Sequence, residues 1–124
     1  MSIPALILLT VSMYKLNINE FKAVLAVESS TCINKVNPAS TARGCGQILK
    51  GTSMHYKFDH NLMHDNTYSI IATGFILSQL KQKTPDYICA YHLGLTGAKK
   101  HRHTKCKEYI KLINKIKYMK VGLK

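Results

Sequence analysis

Glu28 is the residue whose placement carries the most chemical information. It completes a stripe with Phe21, Val24 and Leu25 at i, i+3, i+4 and i+7 of a helical repeat. A carboxylate on an apolar helix face is costly while ionised, so burial there favours the protonated acid. An acid still protonated near neutral pH is what glycosidic-bond cleavage uses. It gives its proton to the leaving oxygen while an oxocarbenium-like centre develops. The alternative geometry puts Glu28 at the helix end, turned to solvent. Other residue types could bind metal. His60 and His64 stand at i, i+4 with His55 nearby, but Asn61, Leu62 and Met63 between them lack the Glu of a His-Glu-x-x-His site. His101, His103 and Cys106 lie among Lys and Arg and read as part of a basic patch, so no metal and no cofactor is expected. Cys32, Cys45, Cys89 and Cys106 form no Cys-x-x-Cys pair, which removes zinc-ribbon and thioredoxin-like readings. Four scattered Cys allow three disulfide pairings or none, and free, partly buried thiols are the expectation.

The elements that must position these residues read as helices throughout. No alternating run bounded by turn residues marks a strand. The first helix is expected from about Pro4 to Lys15, with Pro4 suited to a first turn. Asn17-Ile18-Asn19 is a turn with Asn19 as N-cap, and a second helix follows to about Ser29. Residues 30–43 read as loop. Gly44-Cys45-Gly46-Gln47-Ile48 is a tight turn entering a short helix, and 51–66 is polar and His-rich. A long helix from Asn66 to about Lys81 carries Tyr68, Ile70, Ile71, Phe75, Ile76, Leu77 and Leu80 on nearly all sides, which marks it as central to the core. Thr84-Pro85-Asp86 starts the next helix, with Thr84 as N-cap, and Gly94 ends it. The last helix, about Thr104 to Tyr118, sets Tyr109, Ile113 and Ile116 on one side, with Lys105, Lys107, Lys111, Lys115 and Lys120 largely on the rest. The expectation is an all-α single domain over 1–124, of six or seven short helices.

Glu28 is followed by Ser29, then by Gly44-Cys45-Gly46-Gln47, and much later by Ala90-Tyr91-His92. In this order the three segments resemble the Glu-Ser, Gly-x-x-Gln and Ala-Tyr-Asn signatures of the lytic transglycosylase family, which has the goose-type lysozyme-like fold. Ser40-Thr41-Ala42-Arg43-Gly44 looks like the family's approach to its second signature, and Asn66 opening a long apolar helix also fits. The resemblance covers about residues 3–100. It implies a compact lysozyme-like fold acting on peptidoglycan glycan strands, with Glu28 as the single acid/base. Glu28 would protonate the bond between N-acetylmuramic acid and N-acetylglucosamine. It would then take a proton from the muramic acid's own 6-hydroxyl, closing a 1,6-anhydro ring. Ser29 and Gln47 would hydrogen-bond in the substrate cleft, and Tyr91 would hold the Glu28 side chain by its hydroxyl. Two positions depart from the pattern. His92 stands where Asn is usual and adds a group that titrates near neutrality. Gly46 replaces a larger apolar residue and would loosen the packing unless a neighbour fills the space. A hydrolytic, muramidase outcome would need a positioned water, for which a second acid is the usual holder. Asp59 and Asp65 are the only acids between the second and third signatures, and both also suit cap or loop positions.

Composition bounds the rest. The chain has 124 residues, 46% hydrophobic and 19% charged, which excludes disorder over most of its length. A net charge of +12 predicts a polyanionic partner. Ten of the Lys and Arg fall within 99–124, against Glu108 as the one acid there. The plain reading of residues 101–124 is a solvated face on a packed helix. The sharper one is attraction to an anionic wall polymer, lipopolysaccharide or membrane surface. A nucleic-acid-binding module is the rival class. It lacks a recognised motif and leaves Glu28, Gln47 and the third signature unexplained. The apolar start, Ile3 to Val11, is too short to span a bilayer. No Lys or Arg precedes it and no small-x-small site closes it, so it reads as a core helix rather than an export or anchor segment. A monomer acting in the periplasm or cell wall is expected, as a phage lysis or virion protein or a secretion-system component.

Overall fold

Ser2 accepts a hydrogen bond from the Ala5 amide, and Pro4, which has no N–H to satisfy, occupies the first turn of α1 (Ile3–Tyr14). Lys15, left-handed, closes it. In this computed structural model, residues 1–119 are described. Five more helices follow: α2 (Ile18–Ser29), α3 (Lys50–His55), α4 (Asn66–Lys83), α5 (Tyr87–Lys100) and α6 (Lys105–Lys117), with a 3-10 turn at His60–Leu62. The domain is all-α. The described residues hold no strand, only isolated bridges joining Val36 to Arg43 and Arg43 to Ile48.

Five of the helices close into a ring, each packed on the next in the order α1, α2, α6, α5, α4 and back to α1. The α4 helix serves both core clusters. Ile70 and Leu77 join Leu6, Phe21, Val24, Leu25 and Ile113, while Ile76 and Leu80 join Ile48, Met63 and Ala90. Each Leu, Ile, Val, Phe or Met among them, taken fully from water, contributes about 2 kcal/mol.

Several local expectations are corrected. Asn17 rather than Asn19 caps α2, its side chain accepting from the Glu20 amide. This cap makes Glu20 the acid of the first turn, beside the positive helix end. Thr84 closes α4, and its hydroxyl accepts from the Asp86 amide. Asp86 takes the N-cap position of α5. The α5 helix breaks at Gly94, as expected there, but a second helical segment follows. The chain kinks with Gly94 at φ 78°, and helix resumes to Lys100. Lys120 lies outside the described residues. The largest correction concerns sulfur: Cys32 pairs with Cys45, and Cys89 with Cys106, leaving no free thiol among the described residues. The partners lie 13 and 17 residues apart in sequence, and the helix ring brings their Cα atoms to 4.3 and 5.4 Å.

Candidate active site

The α2 helix buries Phe21, Val24 and Leu25 and carries Glu28 in its last turn. Past Ser29 the chain turns sharply. Ser30, Thr31 and Cys32 all take left-handed φ values of 51°, 53° and 72°. Such residues cost on the order of 1–3 kcal/mol each and persist only where neighbours over-determine them. Ser29 supplies that constraint. Its hydroxyl, fully buried, accepts from the Cys32 amide (2.8 Å) and donates to the Cys45 carbonyl (2.6 Å). The Cys32–Cys45 disulfide locks the same two segments. Ser29 therefore does not line the cleft; it clasps the Gly44–Gln47 turn to the end of α2.

That turn is fixed from every side. The Gly44 amide donates to the Lys35 carbonyl, the Cys45 amide to the Ser69 hydroxyl on α4, and the Tyr91 hydroxyl to the Gly46 carbonyl. Gly46 does not loosen the packing here. A Cβ at this position would stand 2.0 Å from Thr73 Oγ1 and 2.4 Å from the Tyr91 hydroxyl, so those two side chains fill the space. Gln47, left-handed at φ 50°, folds its Nε2 back onto the Gly44 and Asn34 carbonyls (3.1 and 3.3 Å). Its Oε1 has no partner among the described residues.

The Glu28 side chain is 11% exposed. Its Oε2 accepts from the Tyr109 hydroxyl of α6 at 2.7 Å and lies 3.2 Å from His92 Nδ1 on α5. The imidazole stacks flat on the Tyr109 ring, centroids 4.1 Å apart at 8°. Tyr109, not Tyr91, thus holds the carboxylate. Burial first, then the charge of Glu28 and the hydrogen bond to it, push the Tyr109 hydroxyl well above the ordinary tyrosine range. Burial and the Glu28 charge raise Tyr91 as well, with a Thr73 hydrogen bond opposing. Both phenols stay protonated donors at any working pH.

Glu28, Gln47, Tyr91 and His92 share one cleft of about 360 Å³. Ile48, Ile76 and Leu80 make its floor, and His55 and Lys83 add polar rim groups from α3 and α4. Glu28 is the one carboxylate lining it among the described residues. Asp65 caps α4 through the Tyr68 amide, and Asp59 caps the 3-10 turn through the Asn61 amide. Asp59 lines a separate cavity with Arg43, Lys50, His60 and His64. His60 is fully engaged there. Its Nε2 meets the Thr41 carbonyl (2.8 Å) and must donate, so its Nδ1 (2.7 Å) accepts from the buried Ser53 hydroxyl.

Sequence reasoning placed Tyr109 only on the apolar side of the last helix. The available signal was a phenol amid that helix's apolar face, since a buried tyrosine hydroxyl needs a partner. No family model, curated protein or solved structure matches the chain.

Proposed function

We infer that the protein cleaves the glycan strands of peptidoglycan by a lytic transglycosylase reaction, with Glu28 as the acid and then the base. The observation that carries this reading is the convergence of Glu28, Gln47, Tyr91 and His92, from three separate segments, on a cleft with one carboxylate. With Oε2 occupied by Tyr109 and His92, Glu28 is oriented to present Oε1 to the substrate. Proton transfer from Oε1 to the bridging oxygen breaks the bond on the muramic acid side. The carboxylate left behind then takes the proton of the sugar's 6-hydroxyl as that oxygen closes on the anomeric carbon. The proton count balances over the cycle and no water enters. This matches a cleft where neither Asp59 nor Asp65 stands near enough to hold one. The unpartnered Oε1 of Gln47 is suited to accept from a sugar hydroxyl or an acetamido N–H. The Tyr109–Glu28 bond serves both steps, because a neutral donor supports the carboxylate without supplying a competing charge.

The test is release of soluble sugar from purified peptidoglycan. Wild type should release it. Glu28→Gln, which keeps the size and both Oε2 contacts but removes the acid, should lose on the order of a thousandfold or more. Retention of most activity by the variant would overturn the mechanism.

A further inference from the structure

The face of α2 opposite Glu28 carries a second feature. At about 100° per residue, Asn19, Lys22, Ala23 and Ala26 sit roughly 120–180° round the helix from Glu28. With Ile3, Pro4 and Ile7 of α1 and Ile116 and Lys117 of α6 they line a groove of about 380 Å³. Its floor is apolar and its two long polar side chains are ammonium groups. Neither Lys22 nor Lys117 makes an ion pair among the described residues.

Beside the groove, Pro4 and Leu8 share one side of α1 at i and i+4. Leu8 is 58% exposed, and Met1, which precedes the helix, is 81% exposed. Beyond them, Leu9 and Met13 extend exposed apolar surface round the helix. Residues 1–14 contain no charged side chain, and the chain has no acid in 1–19 or 109–124. The groove's lining thus combines bare hydrocarbon with positive charge and no acid, while Glu20 and Glu28 of α2 and Glu108 of α6 are not among the lining residues. No helix among the described residues is long and apolar enough to cross a membrane. The exposed apolar side of α1, with Lys22 and Lys117 on the neighbouring helices, offers both terms of interfacial binding, apolar area to bury and attraction to anionic headgroups.

We propose that the α1–α2–α6 groove, with the exposed apolar side chains of Met1 and Leu8 beside it, docks the protein side-on onto an anionic lipid bilayer. Met1 and Leu8 enter the boundary between headgroups and acyl chains. Lys22 and Lys117 lay their stems along the apolar floor and reach the phosphates with their ammonium groups. A second copy is a poorer occupant, since a two-fold contact through this face would set Lys22 and Lys117 of both copies in one interface. Docking this way turns the Glu28 cleft away from the lipid. The proposal does not depend on the reaction assigned to that cleft.

The chain has no Trp, so a single introduced Trp reports its own surroundings. Leu8→Trp should blue-shift its emission when mixed with vesicles of phosphatidylglycerol in phosphatidylcholine, and stay unshifted with phosphatidylcholine alone. Met54→Trp, at an exposed site on α3, should not shift with either. In co-sedimentation with the anionic vesicles, Leu8→Asp and the pair Lys22→Glu/Lys117→Glu should each weaken binding by about tenfold or more. Circular dichroism checks that these surface variants keep their helices. The proposal is overturned if Leu8→Trp does not shift, if binding ignores anionic lipid, or if Leu8→Asp binds as wild type does. It is equally overturned if the protein dimerises in solution and Leu8→Asp abolishes the dimer.

Discussion

At Glu28 two donors on one oxygen decide what the other oxygen can do. Tyr109 and His92 converge on Oε2 from two helices, and removing either should show which one orients the acid. Tyr109→Phe keeps the stacked ring and deletes the 2.7 Å bond. Activity should fall by about ten- to a hundredfold, the range of a lost charge-assisted hydrogen bond, while the melting temperature moves little. Ser29 predicts the reverse pattern. Its hydroxyl serves the Cys32 amide and the Cys45 carbonyl inside the core, so Ser29→Ala leaves buried groups unpaired. A loss of about 1–3 kcal/mol in denaturant unfolding is expected. A stable Ser29→Ala protein with lost turnover would instead return Ser29 to the cleft. The sequence stripe picked out Glu28 because Phe21, Val24 and Leu25 fix its register. It could not distinguish Tyr91 from Tyr109 as the partner. Both are tyrosines on helices, and which hydroxyl reaches Glu28 depends on how α5 and α6 pack on α2.

Each segment that supplies a site residue is tied by a disulfide within four residues of it. Cys32 follows Glu28, Cys45 precedes Gln47, Cys89 precedes Tyr91 and His92, and Cys106 precedes Tyr109. The Cys89–Cys106 bond joins α5 to α6 and so sets the spacing of His92 and Tyr109, which stack at 4.1 Å. Cys89→Ala/Cys106→Ala should cost about 3 kcal/mol from loop entropy, read by thermal melting. It should also cut activity by more than the fraction unfolded. Unchanged turnover would show that helix packing alone holds the stack. Helix number and order were legible from apolar periodicity and from Pro and Gly punctuation. The break at Gly94 was legible as well, but the helical segment beyond it was not, because contacts past the glycine decide whether helix resumes. Cysteine pairing was equally illegible, since four scattered Cys fit several closures until the ring of helices brings two pairs together.

At the scale of the whole molecule, the basic side of α6 lies opposite the side that brings Tyr109 to Glu28. The outward side chains of α6 include Lys107, Lys111 and Lys115, exposed on a helix whose opposite side buries Cys106, Tyr109 and Ile113. If that basic face draws the protein to phosphate-rich wall polymers, retention on purified walls should drop as salt rises through physiological strength, where the screening length is about 8 Å. Salt-independent retention would remove any electrostatic role. The wall-cleaving reading rests on the chemistry of the cleft, and the product carries the answer. Mass spectrometry of the sugars released from purified peptidoglycan tests it most directly, with wild type beside Glu28→Gln. The account predicts muramic acid ends lighter by one water than the hydrolysed form, absent from the variant's digest. Reducing ends in their place would contradict the ring-closing step and make Glu28 the acid of a hydrolase. No release from any wall type would contradict the enzyme itself.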